Sequence, residues 1–83
     1  GAPAVPGIVA RLKSLNWADA ASAEKEANVL TWCLVEIYGP TDGAALAVRR
    51  LRAEVATSTD QEVISLRCAI SCLCVMWINW EER

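Results

Sequence analysis

The sequence predicts an all-α fold, a compact bundle of four main helices, and three observations predict it. Apolar residues recur at steps of three and four through most of the 83 residues. The helix formers Ala, Leu, Glu and Arg are abundant, whereas the four Gly and three Pro gather near the N-terminus and around position 40. At 54% hydrophobic residues and a mean hydropathy of +0.26, the chain has ample apolar surface for one core, and it is too short for two.

Residues 1–5 read as a flexible N-terminal arm and 6–83 as a single helical domain. Pro6 has the fixed φ suited to the first turn of a helix, here over about 6–16 with Ile8, Val9, Leu12 and Leu15 as its apolar residues. Asn16-Trp17-Ala18 then forms a connector, and Asp19 or Ser22 caps a second helix over about 20–38. Val29, Leu30, Cys33, Leu34 and Ile37 share its core-facing stripe, with Trp32 and Val35 beside it. Gly39-Pro40 ends that helix. Thr41 or Asp42 starts a third over about 42–55, which turns Ala44, Val48, Leu51 and Val55 to the core.

The segment Thr57 to Glu62 holds two overlapping capping boxes, Ser58 with Gln61 and Thr59 with Glu62, and so predicts a helix start there. The fourth helix, over about 60–80, carries the seam Val63, Leu66, Ile70, Leu73, Trp77 and Trp80. Its other flank, Ile64, Cys68, Cys72, Val75, Met76 and Ile78, is apolar as well, and a helix apolar on all sides must be surrounded. The uncharged run Cys68 to Trp80 is too short to span a bilayer and suits a buried helix. No secretory leader is expected in the first residues, which lack a basic segment followed by a long apolar one.

Catalysis is not expected. The chain has no His, which removes the commonest general base and the mixed Cys/His zinc arrangements. No glycine-rich phosphate loop occurs, and the carboxylate pairs Glu24/Glu26 and Glu81/Glu82 lie at solvated helix ends. No cofactor is implied. The cysteines allow an alternative, a thiolate metal or redox site at Cys33, Cys68 and Cys72, or an interhelix disulfide. Cys74, however, is rotated by about 120° from Cys68 around one helix, and the C-x-x-C spacing is missing. The four cysteines therefore read as small buried hydrophobes of a reducing, intracellular compartment.

The net charge of −2 and pI near 5.0 argue against nucleic-acid binding. Arg49, Arg50 and Arg52, with Arg11 and Lys13 in reach, form the one basic concentration, a candidate contact for an anionic surface such as lipid head groups or RNA. Trp32, Val35, Val75, Ile78 and Trp80 are the candidate partner interface, with Trp17 a further candidate, because Trp is enriched at binding hot spots.

The stretch from Ala47 to Trp77, AVRRLRAEVATSTDQEVISLRCAISCLCVMW, resembles the third and fourth helices of the matrix domains of lentiviral Gag polyproteins, and to a lesser degree capsid helices. It shares with them an arginine-bearing amphipathic helix, a Ser/Thr turn with an acidic cap, and a long apolar helix carrying Cys. The chain departs from that family in having only Arg11 and Lys13 as N-terminal basic residues, and Val5 where N-myristoylation needs Ser or Thr. The resemblance implies a virion structural domain that packs with its own copies and approaches a membrane. From the residues themselves the expected function is a noncatalytic assembly or protein-interaction module. It self-associates through the apolar C-terminal helix, so its partner is a second copy or another protein chain.

Overall fold

A computed structural model describes the backbone over residues 2–81 and the side chains over 3–76. Four helices follow in order: α1 (Val5–Lys13), α2 (Ala20–Tyr38), α3 (Gly43–Val55) and α4 (Asp60–Glu81), preceded by one 3-10 turn at Ala2–Ala4. The radius of gyration, 12.0 Å, matches the value of about 12 Å expected for one domain of this length.

The first difference from expectation lies at the N-terminus. The segment read as an arm over 1–5 instead enters a 3-10 turn at Ala2, and Val5 opens α1 as a buried core residue. Pro6, in the first turn, has no N–H to leave unpaired there. The helix ends at Lys13 and not at 16: the Ser14 N–H turns back to the Arg11 carbonyl and the Leu15 N–H to the Leu12 carbonyl, and Ser14 Oγ also donates to the Arg11 carbonyl at 3.0 Å. Asn16 Oδ1 then accepts the Ala18 N–H at 3.0 Å, a local bond that favours a turn over continued helix.

Asp19, of the two expected caps, starts α2: its carboxylate accepts the N–H of Ser22 at 3.3 Å. Gly39 ends it at φ +114°, a conformation rarely open to other residues, while its N–H closes on the Val35 carbonyl at 2.9 Å. Asp42 precedes α3 without a side-chain cap bond. At the start of α4 only one of the two capping boxes forms. The Thr59 N–H donates to Glu62 Oε1 at 2.8 Å and the Glu62 N–H to Thr59 Oγ1 at 3.3 Å. Ser58 turns the other way and donates to the Glu54 carbonyl, satisfying the end of α3.

The helices α2, α3 and α4 pack pairwise on one another, and α1 lies across α2 and α4. Leu12, Leu34, Leu51, Leu66 and Leu73 are fully buried at the centre, each contributing about 1.5–3 kcal/mol on leaving water. The predicted core face of α2 is corrected by rotation. Its buried residues are Ala23, Ala27, Thr31 and Leu34, while Val29 is 63% exposed and Cys33 also faces solvent. Small side chains at steps of four let α2 approach its neighbours closely. In α3, likewise, Gly43 and Ala47 are buried with Leu51, and the expected Ala44, Val48 and Val55 lie half-buried at the edge.

Two polar residues sit in this core without being orphaned. Thr31 Oγ1 donates to the Asn28 carbonyl at 3.0 Å. The hydroxyl of buried Ser65 accepts the indole N–H of Trp17 at 2.6 Å, which ties the α1–α2 connector to the middle of α4. Trp17, a candidate interface residue by sequence, is thus packed against the domain's own core, and it also lines the groove described below.

Candidate functional site: a groove between α2 and α4

Three of the five candidate interface residues converge. Trp32 and Val35 on α2 and Val75 on α4 line one open groove of about 1200 Å³, closed at one end by the Gly39–Ala45 segment that leads into α3. Met76, Cys68 and Cys72 continue its apolar wall along α4. Trp32 is 50% exposed and Val75 58%, values that mark them as surface and not as an imperfectly closed core. The side chains of Ile78 and Trp80 lie outside the described residues.

The sequence explains why this face stays open. On α4 the buried set is Ser65, Leu66, Ala69 and Leu73, about a quarter-turn to a third of a turn from the row Cys68, Cys72, Val75 and Met76. The bundle has covered one side of a helix that is apolar on two. On α2 the residues lining the groove are Glu24, Asn28, Trp32, Val35 and Glu36, again a single edge at helical spacing.

Charge is unevenly distributed around this groove. Glu24, Glu36 and Asp42 stand on its rim, and no Lys or Arg is among the described residues that line it. Elsewhere the described glutamates are matched, while Asp19 caps α2 and Asp60 has no cation. Arg11 holds Glu26 through two guanidinium nitrogens; Lys13 reaches Glu54 at 3.4 Å and Glu62 at 3.9 Å, and Arg50 pairs with Glu54 one turn away. The Arg11 guanidinium holds the Glu26 carboxyl below the ordinary range. Arg50 does the same for Glu54, and the Thr59 backbone N–H for Glu62.

These pairs alter the candidate anion contact. Arg50 is committed to Glu54, and Arg11 and Lys13 are likewise engaged, so the predicted trio contributes only Arg49 and Arg52 as exposed cations. Arg52 instead shares a shallow hollow with Val55, Ile70 and Arg67, a residue that sequence reading passed over.

No family model, curated protein or solved structure matches this chain.

The thiolate alternative loses its geometry. No group of three or more Cys, Asp or Glu among the described residues is placed to hold a metal ion, so Cys33, Cys68 and Cys72 do not form the set that sequence allowed. All four cysteines are free here, with Cys33 exposed and the other three half-buried, so none is the fully buried hydrophobe the sequence suggested. Burial pushes the Cys72 thiol up, helped by the negative charge of Glu24, and a thiol so shifted is a poor nucleophile near neutral pH. No described helix is long and apolar enough to cross a membrane.

Proposed function

We propose that this chain is a noncatalytic protein-interaction module that docks a helix of another chain in the groove between α2 and α4. One observation carries the reading: Trp32, Val35 and Val75, scattered over two helices in sequence, meet in one concave apolar surface with polar residues at its edge. An amphipathic helix laid into such a groove buries its own apolar stripe and leaves its polar face in water. The chain's lack of His and the raised Cys72 thiol support binding as the activity in preference to catalysis.

A second copy of the chain is the other partner suggested by the apolar α4. Groove-to-groove pairing of copies is disfavoured by like charge, since it would set two identical acidic rims against each other. Amide chemical shifts, followed while a neutral Leu/Gln amphipathic helical peptide is added, test the groove. Perturbations gathered on the groove edges of α2 and α4, and abolished by Val75→Asp, are expected. Perturbations centred on Arg49 and Arg52, or none at saturating peptide, would overturn the proposal.

A further inference from the structure

The unpaired acids identify the kind of helix that fits. Among the described residues every glutamate away from the groove, Glu26, Glu54 and Glu62, has a cationic partner, whereas the two glutamates on the groove rim, Glu24 and Glu36, have none. Asp42 belongs with them, because its carboxylate makes no cap bond to the α3 backbone. Three carboxylates without cations thus stand on the rim of this apolar groove, and of the described acids away from it only Asp19 and Asp60 also lack one. Leaving them unpaired beside an apolar occupant costs desolvation unless that occupant brings positive charge.

We infer that the groove's ligand is a basic amphipathic helix from another protein, with an apolar stripe for Trp32 and Val75 and Lys or Arg for Glu24, Glu36 and Asp42. This rests on the docking-groove reading and adds the partner's charge and length. Glu24 and Glu36 lie twelve positions apart on α2, about 18 Å along its axis. This rim spacing sets the length of the docked helix at about three turns. The matching helix carries cations about three turns apart on its flanks, and its middle is apolar.

The pairing also explains why Asp42 is left uncommitted at a helix start, where an acidic side chain usually binds the first backbone N–H groups. Val35, from whose carbonyl a Cβ on Gly43 would lie only 2.4 Å, brings the first turn of α3 against the end of α2. Asp42 and Glu36 consequently stand at the same end of the groove, and Glu24 at the other. The docked helix is expected to concentrate its positive charge toward the end that meets Glu36 and Asp42.

The test uses the full chain and three fluorescent peptides of about 14 residues, long enough to cover the groove. One is an amphipathic Leu/Lys helix, the second its Leu/Glu twin, and the third a Leu/Lys peptide of equal composition with scrambled order. Fluorescence anisotropy should show the amphipathic Leu/Lys peptide binding about tenfold or more tightly than either other at low salt, with its advantage over the Leu/Glu twin, but not over the scrambled peptide, shrinking at high salt. Replacing Glu24, Glu36 and Asp42 together by Lys should reverse the preference. The corresponding Gln and Asn substitutions, which change less of the surface, should abolish it. Equal affinity for the Leu/Lys and Leu/Glu helices, or a preference for Lys that survives both sets of substitutions, overturns the inference while leaving the groove as a docking site. Binding of none of these peptides overturns the docking-groove reading itself. A chain that sediments as an oligomer and dissociates on Val75→Asp assigns the groove to a second copy and sinks the heterologous partner.

Discussion

Replacing Gly43 with Ala tests the close approach of α3 to the end of α2. An ideal Cβ at Gly43 would lie 2.4 Å from the Val35 carbonyl oxygen and 3.0 Å from Val35 Cγ1. A carbon tolerates a carbonyl oxygen at about 3.3 Å, so the two helices must part locally by close to 1 Å. The carbonyl has little room to yield, since it accepts the Gly39 N–H that closes α2. Overpacking of this kind costs about 1–3 kcal/mol, and Ala recovers about 0.5–1 kcal/mol through reduced unfolded-state entropy. The net loss is about 1–2 kcal/mol, a fall in melting temperature on the order of 5–15 °C for a domain of this size. Gly7 in α1 is the internal control: a Cβ there meets nothing within 4 Å, and Gly7→Ala should raise stability by about 0.5–1 kcal/mol. Thermal unfolding followed by far-UV circular dichroism measures both. A Gly43→Ala protein as stable as the parent would refute the close packing of α2 on α3.

Ser65→Ala should lower stability by about 1–3 kcal/mol, because it strands the Trp17 indole N–H against a buried part of α4, and denaturant unfolding together with the Trp emission maximum would read it. An unchanged midpoint would show that the indole finds water instead. Thr59→Ala should cost about 1 kcal/mol by breaking the capping box, whereas Gln61→Ala should cost almost nothing because the second box does not form; equal costs would contradict this assignment. For pH, Glu54 has a folded-state pKa held down chiefly by Arg50. Its contribution is therefore complete above the unfolded-state value of about 4.3 and is lost as pH falls through the lower folded-state value. Glu54→Gln should flatten the fall of melting temperature with acid in that window, and parallel curves for the two proteins would dismiss the pair as a stabilising element.

The helix ends were largely legible in the sequence because they depend on local chemistry. Asp19 accepts a backbone bond three residues ahead, Gly39 adopts a positive φ, and Thr59 and Glu62 reciprocate across one turn. The rotation of α2 was harder to read. Apolar periodicity weights large side chains and so points to Val29 and Cys33, yet the bundle buries Ala23, Ala27 and Thr31. A signal for this was present in the four-residue spacing of small residues, Ala23 to Ala27 and Gly43 to Ala47, which favours close helix contact.

The candidate site divides in the same way. That α4 carries more apolar surface than one neighbour can cover was evident from its composition, as was the value of Trp32 and Val75 as contact residues. Their meeting in one groove was not, nor was the commitment of Arg50 to Glu54 while Glu24 and Glu36 stay unpaired. The sequence by itself determined the four helices, most of their ends though not those of α1, and the excess of apolar surface, because each follows from interactions within a few residues. Only the tertiary structure decided which face of each helix was covered and which charges were neutralised. Close packing selects side chains by the space between helices, and ion pairs form between residues as far apart as Lys13 and Glu54, whose proximity no local pattern encodes.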